Sequence, residues 1–156
     1  MSGLQQHGIE HLSPSSLNLF AAEPALWVME RLLGHRSSPG CAAHRGTAAE
    51  AGIEIGLINP DLPVTECQAH ALHEYDRLSA LSADPNRQKE REAIPGIVEV
   101  GLAELRQYGV PTLSETSRQH KVSVTLDDVP VPVIGYLDFL FDQHGIIVDQ
   151  IGRAHV

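Results

Sequence analysis

The chain is expected to adopt an α+β fold, helices first and strands after, and three features of the sequence predict it. As far as Tyr108, apolar residues recur at helical spacing between capping signals. From Lys121 onward they alternate with polar residues in strand fashion. A length of 156 residues at 42% apolar is enough for one ordinary core and leaves no room for a second domain.

Each element follows from local chemistry. Ser13-Pro14-Ser15-Ser16 starts a helix, with Ser13 as cap and Pro14 in the first turn, and Leu17 and Phe20 are expected to face inward. Glu23-Pro24 restarts a helix with Leu26, Met29 and Leu33 on its inner side, and Gly34 ends it. Residues 36–40 read as a loop and residues 42–57 as a helix of small residues. Gly46, Gly52 and Gly56 each cost that helix about 1 kcal/mol relative to Ala, so it survives only if packed closely. Asn59-Pro60 closes it. Residues 64–82 place Cys67, Ala71, Tyr75 and Leu78 on one face. Residues 86–108 carry Ile94, Ile97 or Val98, and Leu105, with a kink or break at Pro95-Gly96 and a stop at Gly109 and Pro111. Val122, Val124 and Leu126 form a strand, Asp127-Asp128 turns the chain, residues 131–141 form a second strand, and Ile146-Ile147-Val148 a third. The three strands are read as a meander.

Composition removes several function classes. No apolar stretch approaches the length of a membrane span, and residues 1–10 lack the basic and apolar regions of a signal peptide, so the expected compartment is the cytoplasm. Cys41 and Cys67 make neither a disulfide framework nor a four-ligand zinc pattern. Of nine histidines, only His70 and His73 sit at helical spacing, which favours surface or core roles over a zinc site. Trp27 and Tyr136, spaced singly, read as core residues. The net charge of −9, from 20 acidic and 11 basic residues, argues against a chain that lives by non-specific attraction to phosphate.

The sequence places two aspartates in apolar strands, Gly135-Tyr136-Leu137-Asp138-Phe139 and Ile146-Ile147-Val148-Asp149. An ionised, unpaired carboxylate buried there costs several kcal/mol. A two- or four-residue loop centred on Gln143-His144 makes Asp138 and Asp149 cross-strand partners on one face, about 5 Å apart at Cβ and mutually repelling. A hard divalent cation, Mg²⁺ or Mn²⁺, removes the conflict. A three-residue loop with a bulge at Gly145 instead sends the two to opposite faces. The plain alternative is a pair of solvent-exposed strand-end aspartates, as Asp127 and Asp142 are read to be.

In order along the chain, Leu12-Ser13-Pro14-Ser15-Ser16-Leu17, Arg45-Gly46-Thr47-Ala48-Ala49-Glu50 and the two aspartate strands resemble the RecB-like branch of the PD-(D/E)XK nucleases, which includes CRISPR-associated and phage recombination exonucleases. The resemblance spans residues 12–149. It implies a restriction-endonuclease-like core, with residues 1–11 as an N-terminal tail and residues 63–108 as a helical insertion. It also implies catalytic and metal-binding roles for three residues: Glu50 on the helix, Asp138 on one strand, and Asp149 as the first residue of an Asp-x-Lys triplet. Gly46 fits the glycine four positions before the helix acid, and Glu54, one turn on, is a rival for Glu50's place. The iron–sulfur cluster of the CRISPR-associated exonucleases uses one early and three late cysteines; Cys41 precedes the helix acid, and no cluster is assigned.

Position 151 departs from the pattern, with Ile151 where the catalytic lysine should stand. Isoleucine can neither position the attacking water nor stabilise charge on phosphate. Ile151-Gly152-Arg153-Ala154-His155-Val156 reads as a translated sequencing adapter, with Gln150 encoded across the junction, so residues 150–156 are expected to be a non-native tail on a fold incomplete at its C-terminus. The intact parent is expected to be a Mg²⁺-dependent deoxyribonuclease of DNA repair, recombination or a phage or CRISPR setting, with DNA as partner. The chain as written is expected to hydrolyse little or nothing. Two rivals stand beside this reading: a non-catalytic interaction or DNA-binding module that keeps the fold, and an unrelated helical protein with an incidental hairpin.

Overall fold

Ser13 caps α2 (Pro14–Ala22) as the sequence predicts, its Oγ accepting a hydrogen bond from the Ser16 amide at 3.1 Å, with Pro14 in the first turn. The computed structural model describes residues 3–113 and 119–149. These fall into two compact units, one drawn from Met1–Ser38 with Gln119–Leu137, the other from Pro39–Arg118 with Asp138–Val156. Each unit has its own apolar cluster, where the sequence predicts one core. The α+β class is observed: six α-helices and two antiparallel sheets of two strands each among the described residues.

In the first unit, α1 (Gly3–Gln6) precedes α2, and α3 (Pro24–Trp27) continues into a π-helical turn, Val28–Leu32, that ends at Gly34 with φ +74°. Strands β1 (His120–Val124) and β2 (Val133–Leu137) pair antiparallel, with Val124 opposite Val133 and His120 opposite Leu137. Leu12 forms a parallel bridge to Val133: its amide donates to the Pro132 carbonyl at 2.9 Å and its carbonyl accepts from Ile134 at 2.7 Å. Leu12, Trp27 and Val131 are the buried centre, with Leu4 and Ile9 packed against them.

The helix faces differ from expectation here. Leu17, Phe20, Leu26, Met29 and Leu33 are exposed, while Trp27 is buried, as its core reading expects, and Ser16 is buried with it. Both faces are turned by one residue, about 100°. The reason is the indole, which has the largest apolar surface available and an N–H that must find an acceptor when buried. Ser16 Oγ supplies it at 2.8 Å. Tyr136, read as core, is also exposed.

In the second unit, α4 (Cys41–Ile58) packs against α5 (Val64–Leu78) and α6 (Arg87–Leu105). The close approach expected of the glycine-rich helix is observed. A Cβ on Gly52 would lie 2.7 Å from Ala71 Cβ, and one on Gly56 would lie 2.7 Å from Cys67 Sγ. Cys67, Ala71 and Tyr75 form the buried face of α5, and Ile94, Val98 and Leu102 that of α6. Residues 63–108, read as an insertion, therefore supply much of this core. Of the kink or break expected at Pro95-Gly96, the break does not occur, since α6 runs through Pro95. Ile94 and Val98, buried on either side, hold both halves against the core, and Gln68 Nε2 donates to the Pro95 carbonyl at 3.0 Å. Arg106, in the 3-10 turn Arg106–Tyr108, donates to the carbonyls of Leu62 at 2.9 Å and Gly56 at 3.4 Å, covering the C-terminal end of α4.

The predicted meander is corrected at one point. Residues 131–141 do not form one strand: β2 ends at Leu137, and after Asp138 the separate strand β3 (Phe139–Phe141) pairs with β4 (Ile146–Val148). The two halves have different partners, β1 for one and β4 for the other, so two hairpins replace the meander. The boundary between the compact units falls at the same place.

Candidate metal centre

Between Phe141 and Ile146 the chain turns through four residues, a 3-10 turn Asp142–His144 followed by Gly145 in the left-handed conformation at φ +63°. Only a residue without a Cβ adopts that conformation at no steric cost. Four residues keep the two strands in even register, and the bulged three-residue alternative is excluded. The ladder pairs Phe141 with Ile146, Leu140 with Ile147 and Phe139 with Val148. The ladder ends at Phe139 and Val148, and Asp138 and Asp149 are the residues that adjoin its open end in the chain, Asp138 in a bend and Asp149 outside any element.

Alternation decides which way they face. Phe139 and Phe141 are buried in the core with Ile146 and Val148 against it, while Ile147 is 57% exposed. Continued alternation would put Asp138 and Asp149 on the face of Leu140 and Ile147. Asp138 is half-buried and Asp149 exposed. The strands are therefore not apolar on both faces at these positions, and the large cost of a sealed carboxylate does not arise.

The hairpin is held firmly on its unit. The Thr112 amide donates to the Leu140 carbonyl at 2.7 Å, and Gln143 Nε2 donates to the carbonyls of Tyr108 at 3.0 Å and Val110 at 3.2 Å. Tyr108 packs on Phe141, with ring centres 5.5 Å apart. Gln143 thus positions the aspartate hairpin against the end of α6. Sequence reasoning saw it only as the middle of a loop, because its partners lie more than thirty residues away in the chain.

Glu50 and Glu54 lie one turn apart on α4, and both are half-buried. Arg45, from the same motif, pairs with Glu90 on α6. Among the described residues no group of three or more His, Cys, Asp or Glu is arranged to hold a metal ion, so Glu50 is not brought into a three-carboxylate cluster with Asp138 and Asp149. His70 and His73 are exposed on α5. Gln150 and the adapter-like residues Ile151 to Val156 lie outside the described residues.

Cys41 and Cys67 are free and fully buried. Burial pushes the Cys67 thiol up, with Arg106 partly opposing it. The Cys41 sulfur lies 3.2 Å from Ser82 Oγ, and its amide donates to Asp84. Both thiols are structural in this arrangement.

No helix among the described residues is long and apolar enough to cross a membrane. Comparison with family models, curated proteins and solved structures gives no match to this chain.

Proposed function

We propose that Asp138 and Asp149 hold a divalent cation, Mg²⁺ or Mn²⁺, and that the chain is part of a metal-dependent DNA nuclease of the RecB-like PD-(D/E)XK type. The observation that supports this reading is the even hairpin register, which ends at Phe139 and Val148 and, carried one residue further, would bring the two carboxylates opposite each other. Mg²⁺ commonly takes one or two protein carboxylates, keeps several waters, and draws its remaining ligands from substrate phosphate. An outward-facing pair of carboxylates fits that mode, and a closed cage of protein ligands is not required. The cation would activate water and neutralise charge on the scissile phosphate. Glu50, on α4, enters by resemblance as a third acidic group, and α4 with the β3–β4 hairpin would belong to a restriction-endonuclease-like core. DNA is the proposed partner and the cytoplasm the proposed compartment; no cluster of iron and sulfur is assigned.

A second reading has a specific observation behind it. Ile151 stands where the water-positioning lysine belongs, and the net charge is −9. A module that keeps the metal-binding pair but does not cleave, and that meets a protein before it meets DNA, fits both facts.

Manganese binding, followed by electron paramagnetic resonance on the whole chain, tests the shared premise. Saturable binding weakened at least about tenfold by Asp149→Asn is expected, because one of two charged ligands is lost. Equal binding by the variant overturns both readings. Mg²⁺-dependent DNA cleavage gained by Ile151→Lys favours the nuclease, while metal binding without cleavage favours the module.

A further inference from the structure

The first unit has a pocket of about 180 Å³, open to solvent on one side, whose walls include Arg31, Arg36, Ser16 and Trp27. Arg31 belongs to the π-helical turn Val28–Leu32; its Nε is closed to solvent, and other atoms of the side chain line the cavity. Neither Arg31 nor Arg36 forms an ion pair among the described residues. Arg36 makes one long contact, from Nε to the Glu30 carbonyl at 3.4 Å.

Ser16 adds a second buried donor. It is 4% exposed, and its Oγ accepts the Trp27 indole N–H at 2.8 Å. A hydroxyl that accepts in this way still has its own O–H to give. Ser13 and Ser16 also place the cavity at the first turn of α2, nine residues long, where the helix dipole favours negative charge. His11 adds a further group that becomes positive on protonation, and Glu10 is the one acid in the wall. Two fixed positive charges against one negative leave an electropositive cavity on a chain whose net charge is −9.

The geometry points to a binding site for a phosphate group, either free phosphate or the terminal phosphate of a nucleotide, held by Arg31, Arg36 and Ser16. Guanidinium forks match phosphate oxygens, and donors arriving from three side chains suit a tetrahedral anion better than a flat carboxylate. A water occupies about 30 Å³ of liquid, so the volume admits such an anion with bridging water. This site lies wholly within the first unit and needs neither the aspartate pair nor a metal.

Trp27 is the chain's single tryptophan, so its fluorescence reports this wall directly. The whole chain is titrated with inorganic phosphate at constant ionic strength, then with a nucleoside monophosphate and with acetate. A saturable change with phosphate is expected, weakened about tenfold or more by Arg31→Gln, the loss of a charge-assisted contact. Tighter binding of the nucleotide identifies a nucleotide phosphate as the ligand, and equal or weaker binding identifies free phosphate. A linear response, or acetate binding as tightly as phosphate, overturns the site. Circular dichroism checks that the variant folds. Arg36→Gln, at an exposed side chain, gives the second measurement, and wild-type affinity in that variant also overturns the proposal.

Discussion

Phe139 and Val148 face each other across the β3–β4 ladder, and the residue that adjoins each of them at its open end is an aspartate. The turn sets that relationship, since four residues with Gly145 in the left-handed region keep both strands in step. A one-residue change in the loop would move one of the two aspartates to the core face.

On the proposed reading, two like charges at the open end of the hairpin repel each other when no cation is present. In a chelator, Asp149→Asn is expected to stabilise the chain by about 0.2–1 kcal/mol in urea unfolding. Manganese is expected to raise the midpoint of the wild type and to raise that of the variant less, as weaker binding to the folded state requires.

The glycines of α4 are expected to respond in opposite directions. Gly52→Ala would put a Cβ 2.7 Å from Ala71 Cβ and 2.8 Å from the Cys67 carbonyl, neither of which can swing aside. Destabilisation of about 1–3 kcal/mol is expected from the overpacking. Gly46→Ala meets nothing within 4 Å and should stabilise by up to about 1 kcal/mol through helix propensity. Thermal unfolding of the two variants separates them.

Arg91 donates to both carboxylate oxygens of Asp76 at 2.8 Å and holds that carboxyl below its ordinary value of 3.8. A depressed carboxyl adds stability above its unfolded pKa, and that stability is lost as pH falls through the folded one. Both side chains are about a third or more exposed, so the pair is worth no more than about 1 kcal/mol. Asp76→Asn is expected to cost up to that amount at neutral pH and nothing in strong acid, as read from urea midpoints at the two pH values.

Tyr75 is fully buried, its hydroxyl donates to the Arg87 carbonyl at 2.8 Å, and burial pushes its pKa from 10.0 up to about 12. The protonated form is favoured by folding, so the contribution is complete below pH 10 and is lost as pH rises towards about 12. Tyr75→Phe is expected to cost about 1–3 kcal/mol at neutral pH by leaving a carbonyl without its donor. It should also flatten the alkaline loss of stability seen by denaturant unfolding.

The locally coded features of this protein are the ones its sequence determined by itself. Ser13 and Pro14 start α2, Asn59-Pro60 closes α4, and Cys67, Ala71 and Tyr75 share one face of α5. Each depends on groups a few residues apart, so spacing alone specifies it. Tertiary structure decided the rest. Trp27 and Ser16 turned α2 and α3 by one residue because the indole N–H needed a buried acceptor. Packing on both sides of Pro95 kept α6 continuous, and Asp138 became the break between two hairpins because the strand halves have different partners. The Arg31 cavity lay beyond sequence reasoning for the same physical reason: whether a guanidinium finds a partner depends on residues brought together only by folding.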